Sequence, residues 1–217
     1  ECGLRPDGGV AGPNDWPAAA SRDYTLAEAR RTFAFWIITA TLFMVSLYGT
    51  AVPFHVVSIF EEAGLDRTMA IGIFLPSAVI AVTVNLVGGW LSDRVSLVWM
   101  LLVSQLGMAL SCIGLLELER AWGVPLLIVG NGTMGGAMVL LSSITWPRFY
   151  GVRHLGAISG YTLAWMVAAS AIGPTVFGLS LDVLGSYRAA AWACLAILLA
   201  LAALSPRFRS PQALSHT

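Results

Sequence analysis

Side chains able to do chemistry are sparse in this chain. Its three histidines, His55, His154 and His216, lie far apart. A membrane-embedded serine hydrolase would need a serine and a histidine in facing helices, and no histidine lies in the last apolar run. Gly156-Ala-Ile-Ser159-Gly160 has the wrong spacing for a nucleophile turn, and no His-Glu-x-x-His, phosphate-binding glycine loop or buried carboxylate pair occurs. Cys2, Cys112 and Cys194 are widely separated and form no Cys-x-x-Cys pair, so neither a metal site nor a disulfide is expected. Catalysis is therefore not expected, and no cofactor is implied.

Two features remain. The first is the stretch Gly88-Gly89-Trp90-Leu91-Ser92-Asp93-Arg94, an opposite-charge pair in a short connection between two apolar runs. Its glycines would let the flanking helices approach closely. The second is a set of polar residues at helical spacing inside the apolar runs. Thr39, Phe43, Ser46 and Thr50 share one face; Asn131, Gly135, Met138 and Ser142 share another; Tyr161, Trp165 and Ala168 share a third. Asn85 lies one turn before Gly89. Each such residue has two readings, as lining of a polar cavity or as interhelical hydrogen bonding and close packing. As a set, the faces favour a cavity. The pairs Gly132/Gly136 and Gly156/Gly160 read as helix-packing surfaces. His55, just after Pro53, reads either as a proton-coupling group or as an interfacial residue.

The elements that must carry these residues are membrane spans. Hydrophobic residues make up 57% of the 217 and charged residues only 11%, with mean hydropathy +0.77. That is too little charge to cover a water-facing surface. Residues 1–24 are rich in Gly and Pro and read as a linker without its own core. The Thr25-Leu-Ala-Glu28 capping box should start a helix at the interface that runs on into the membrane. Six spans follow, at about 32–57, 68–91, 97–116, 124–146, 156–181 and 188–204, with residues 147–155 as a loop and 206–217 as a tail. High helix content follows, because unpaired backbone is costly in lipid. Trp36, Trp90, Trp122 and Trp146, near span ends, read as an aromatic belt.

All 12 basic residues are arginine. Nine fall on the side that holds both termini (Arg5, Arg22, Arg30, Arg31, Arg94, Arg148, Arg153, Arg207 and Arg209), and three on the other (Arg67, Arg120 and Arg188). This bias puts both termini in the cytoplasm of a plasma or inner membrane. The zero net charge argues against nucleic acid as a partner. The chain begins with glutamate and is expected to be a piece of a longer protein or a processed one.

Gly89-Trp-Leu91-Ser-Asp93-Arg94 resembles the G-x-L-x-D-R signature of the major facilitator superfamily, found in the cytoplasmic turn between the second and third helices of each six-helix half. Other pieces resemble its oxalate/formate antiporter and monocarboxylate transporter branch. Gly3-Leu-Arg-Pro-Asp-Gly8 is similar to the linker before helix seven. Phe149-Tyr-Gly-Val-Arg153-His154-Leu-Gly156-Ala-Ile-Ser-Gly160 is similar to the loop between helices ten and eleven. Gly173-Pro174 with Asp182-Val-Leu-Gly185-Ser-Tyr187-Arg188 is similar to helix eleven and the turn into twelve. The signature is followed by Val95-Ser96-Leu97 instead of further glycine and basic residues. Thr68 to Trp90 lacks the arginine with which carriers of this branch bind an anion.

The resemblance implies an all-α membrane protein whose six helices form one half of a transporter, built from two inverted three-helix repeats. It implies transport of a small solute, of carboxylate type if the likeness extends to substrate, by rocking against an N-terminal six-helix half that this chain lacks. Gly89, Leu91, Asp93 and Arg94 would form the gating turn. Thr39, Ser46, Thr50, Asn85, Asn131, Ser142, Tyr161 and Trp165 are the candidate cavity residues. The alternatives are a self-standing six-span protein that homodimerises and a non-transporting membrane scaffold.

Overall fold

A computed structural model describes residues 22–92 and 94–205. Every element among them is helical: α1 Leu26–Ala29, α2 Phe33–Glu62, α3 Arg67–Gly72, α4 Phe74–Ser92, α5 Leu97–Leu116, α6 Gly123–Tyr150, α7 Leu155–Leu184 and α8 Arg188–Leu204. Five segments are long and apolar enough to cross a membrane: α2, α3 with α4, α5, α6 and α7. These make the chain a multi-pass membrane protein in type. The sixth helix, α8, is apolar but has 17 residues, a rise of about 25 Å, somewhat less than a typical hydrocarbon core.

The capping box forms as the sequence suggests. Thr25 N donates to Glu28 Oε2 at 2.8 Å, and Glu28 N donates to Thr25 Oγ1 at 3.3 Å. The helix it starts does not run on into the membrane. It stops at Ala29, and Thr32 caps a new helix by accepting from Phe35 N. The break holds because side chains take up the freed groups: Trp36 Nε1 donates to Arg30 O at 2.8 Å, and Thr32 Oγ1 sits 2.7 Å from Ala29 O. The second span is likewise interrupted, at Ile73. Pro76 can neither donate to the carbonyl of Gly72 nor avoid crowding it, so α3 ends at Gly72 and α4 starts afresh.

The expected loop at residues 147–155 starts late, because α6 continues through Pro147 to Tyr150. The extra turn is carried by buried aromatics. Trp146 lies 5.6 Å from Phe35 and 6.2 Å from Tyr150, ring centre to ring centre. Trp146 is therefore core, not interfacial belt, whereas Trp36, Trp90 and Trp122 are exposed. Among the described residues, three glycines have positive φ and each follows a helix end: Gly64 after α2, Gly151 after α6 and Gly185 after α7, at φ of 72°, 80° and 70°.

Packing pairs α5 with α6, α2 with α7, and α4 with α6 most extensively, and α5 and α2 each also meet α8. Chain neighbours α4 and α5, and α7 and α8, touch little. Glycines set the closest approaches. A Cβ on Gly107 of α5 would lie 2.6 Å from Met134 N of α6, and one on Gly132 of α6 would lie 2.6 Å from the Ile80 side chain of α4. Gly156 and Gly160 differ: nothing lies within 4 Å of either Cβ position, so that pair packs no helix of this chain. Two hydrophobic clusters result. One, around Phe35, Trp146 and Tyr150, fills the arginine-rich end; the other, around Tyr48, Phe60 and Phe177, fills the rest.

Candidate solute cavity and signature turn

A cavity of about 290 Å³ lies between α2, α4, α6 and α7. Ser46, Thr50 and Asn131 line it, and so do Ser77 of α4 and Ser170 of α7. Those two serines were not among the sequence candidates; each sits in a span at a position where only its hydroxyl marks it. Gly49 and Gly135 keep the walls open. The lining residues include no charged side chain. Among the described residues, the hydroxyls of Ser46, Thr50 and Ser170 have no hydrogen bond to another group. Ser77 Oγ donates to Ile128 O at 3.3 Å, which ties α4 to α6 at the cavity wall.

Asn131 is held from behind. Ser111 Oγ of α5 lies 2.8 Å from Asn131 Oδ1 and 3.0 Å from Tyr48 Oη of α2. Ser111 and Tyr48 are fully buried, whereas Asn131 is half-buried.

The other candidate residues lie elsewhere. Thr39 and Trp165 line a second, mostly apolar cavity of about 330 Å³ with Trp36, Phe43 and Leu201. Thr39 Oγ1 is buried there without a hydrogen-bond partner among the described residues. Tyr161 joins an aromatic group with Phe35 and Trp165, and the Arg30 guanidinium lies 5.0 Å from its ring centre. Asn85 Nδ2 donates to Gly136 O at 3.4 Å, linking α4 to α6, and Ser142 Oγ donates to Val139 O within its own helix at 3.0 Å.

Near the first cavity, His55 bridges two helices that each contain a proline, Pro53 in α2 and Pro174 in α7. Its Nε2 is 2.9 Å from Pro174 O, so that nitrogen carries the proton. Its Nδ1 is 3.2 Å from Tyr187 Oη, which also reaches Ser58 Oγ at 3.0 Å. Gly178 leaves room for the ring.

In the turn after α4, Asp93 lies outside the described residues. Arg94 N donates to Leu91 O at 2.8 Å, and its guanidinium lies 4.1 Å above the Trp90 ring centre. Arg148 of α6 donates to Ser92 O at 2.7 Å, placing a cation on the C-terminal carbonyls of α4. Sequence reasoning missed Arg148 here, although a basic residue opposite a helix end is a readable signal. The glycines of the turn do not bring α4 and α5 together as expected. A Cβ on Gly88 would strike Leu140 of α6, and α4 and α5 diverge around an apolar groove of about 520 Å³ that includes Leu91 and Trp99.

Outside the membrane spans, hydrogen bonds hold two carboxyls below their ordinary values. Glu28 is lowered chiefly by the backbone N–H of Thr25, and then by its hydroxyl. Asp66, which caps α3, is lowered chiefly by the Thr68 side chain.

No protein-family model matches the chain, and no curated protein matches it.

Proposed function

We propose that the chain is one six-helix bundle of a major-facilitator-type secondary transporter that carries a small solute by alternating access. The observation that carries this reading is the packing pattern. Counting α3 and α4 as one span, exchange of the first three spans with the last three maps α2–α7 onto α6–α4 and α5–α8 onto itself, whereas α5–α6, the most extensive pair, maps onto the much smaller α8–α2 contact. A helix order that repeats in this way is what inverted three-helix repeats produce. The polar cavity follows the same rule, since its walls come from the first two spans of each triplet.

The least buried of the long spans, α4 and α7, both border this cavity. Their outer faces expose Val79, Val82 and Leu86 on one helix and Val167, Ile172 and Val176 on the other. On this reading those faces meet a second six-helix bundle, either the N-terminal half of the same protein or a second copy. Both termini then lie on the arginine-rich, cytoplasmic side. On the resemblance, the signature turn is the gate: Asp93 would answer to a helix N-terminus of the other bundle, and Arg94 stacks on Trp90 beside it.

The test is uptake of radiolabelled acetate, lactate and glycerol into proteoliposomes containing the full-length protein, with both six-helix bundles, or its Asp93→Asn variant. The gate predicts a several-fold slower uptake for the variant with little change in half-saturation. Equal uptake rates would remove the gate, and absence of any flux would favour a scaffold.

A further inference from the structure

We infer that the apolar groove between α4 and α5 holds one acyl chain of an anionic phospholipid, with the lipid phosphate at Arg94 and Arg148. The inference stands apart from the carrier reading, because a scaffold built from these helices would hold the same lipid.

The groove, of about 520 Å³, begins at the turn that joins the two helices, where Leu91 and Val95 line it. It ends at Thr83 on α4 and Val103 on α5. Each wall is therefore eight residue steps long, a rise of about 12 Å. Half of a hydrocarbon core is about 15 Å. Trp90 and Trp99, both exposed, mark the turn as the interfacial end. A chain entering there runs within a single leaflet. Gly88, lacking a side chain, lets the groove reach Leu140 of α6 as its floor.

The walls suit hydrocarbon. Apart from the Trp99 indole at the mouth, the polar group among the described lining residues is the Thr83 hydroxyl, and it donates to Val79 O at 2.8 Å within its own helix. The cations lie at the mouth. Arg94 sits in the chain between the lining residues Leu91 and Val95, and its guanidinium stacks on Trp90. Arg148 spends Nη1 on Ser92 O and keeps its other donors. Both residues are exposed, and neither is ion-paired among the described residues. Two cations against the one carboxylate of Asp93 in the same turn leave a net positive charge.

A net positive mouth above an apolar slot about one leaflet deep matches an anionic headgroup with its chain below. The second bundle proposed above leaves this slot open. Val82 and Leu86, on the face assigned to that bundle, each precede a lining residue, Thr83 and Val87, by one position, about 100° around the helix.

The test is native mass spectrometry of the full-length protein titrated with phosphatidylglycerol or with phosphatidylcholine of identical chains. The first equivalent of phosphatidylglycerol should bind about tenfold more tightly or better. Arg94→Gln should lower that preference about fivefold, the contribution of one basic residue near an anionic lipid, whereas Arg94→Lys should keep most of it. Val87→Trp puts a large side chain into the groove from an exposed position and should weaken binding of both lipids.

Equal affinity for the two lipids overturns the inference, and so does a preference that survives Arg94→Gln. A preference that responds to Arg94→Gln while Val87→Trp changes neither affinity means an anion at the turn with no chain in the groove, which also overturns it. Displacement of phosphatidylglycerol by inorganic phosphate at matched ionic strength has the same meaning.

Discussion

Gly107→Ala should destabilise the bundle, whereas Gly160→Ala should stabilise it. At Gly107 the new methyl would lie 2.6 Å from Met134 N, 3.0 Å from Thr133 Cβ and 3.1 Å from Met134 Cα, two of them backbone atoms that no rotamer change can clear. Restoring normal contact requires α5 and α6 to part by roughly 1 Å, enough to forfeit a quarter to a half of the dispersion energy at the contacts that open. Overpacking of this kind costs about 1–3 kcal/mol, and alanine returns up to ~1 kcal/mol through its helix propensity. The net expectation is a loss of about 1–2 kcal/mol. At Gly160 nothing lies within 4 Å, so only the propensity gain remains, about 0.5–1 kcal/mol in the other direction. Unfolding in mixed detergent–dodecyl sulfate micelles, followed through the eight tryptophans, would resolve that difference. Shifts of the same sign and size would refute the idea that α5 and α6 meet at Gly107.

His55→Phe keeps a ring between α2 and α7 but removes the bonds to Pro174 O and Tyr187 Oη. A loss of about 1–2 kcal/mol is expected in the same unfolding assay. Arg148→Met leaves the C-terminal carbonyl of α4 without its cation, so hydrogen exchange at residues 89–95 should speed up by about tenfold or less. Glu28 has a folded-state value below its ordinary 4.5. Its contribution to α1 is therefore complete above that ordinary value and is lost as pH falls through the lowered one. Hydrogen exchange of the α1 amides should accelerate over that acid range in the native chain, and Glu28→Gln should flatten the dependence.

The limits of α5 and α8 were legible because polar residues bracket short apolar runs there, Ser96 and Glu117 for α5 and Arg188 and Ser205 for α8. Hydropathy underestimated α2, α6 and α7, since a helix ends where its carbonyls find a cap and not where its apolar run ends. Gly64, Gly151 and Gly185 were the readable signals, each a residue able to take the positive φ of a helix stop. Cavity membership was less legible for a geometric reason. Thr39 and Ser46 share a helical face, but seven residues separate them by about 10 Å along the axis. They open into different cavities, one almost wholly apolar and one whose largely apolar wall carries several hydroxyls and an amide. A helical face identifies residues on the same side; it does not identify the neighbour they meet. Asn85 and Asn131 make the same point, because one spends its amide on a backbone carbonyl and the other on a buried serine.

The two kinds of glycine in this chain bear on the proposed second bundle. A glycine in a helix interior costs roughly 1 kcal/mol relative to alanine. Gly107, Gly132, Gly136 and Gly173 recover that cost within the chain, because a helix backbone or side chain occupies the space a Cβ would need. Gly156 and Gly160 recover nothing from their own chain, and they sit on an exposed stretch of α7. The same helix contributes Ser170 to the cavity, so a partner closing over that face would also wall in the solute site. On the carrier reading, the cost at these two positions is offset only when a second bundle is present. The stabilisation expected for Gly160→Ala in the isolated chain should then disappear, or reverse, once the chain is studied with its partner.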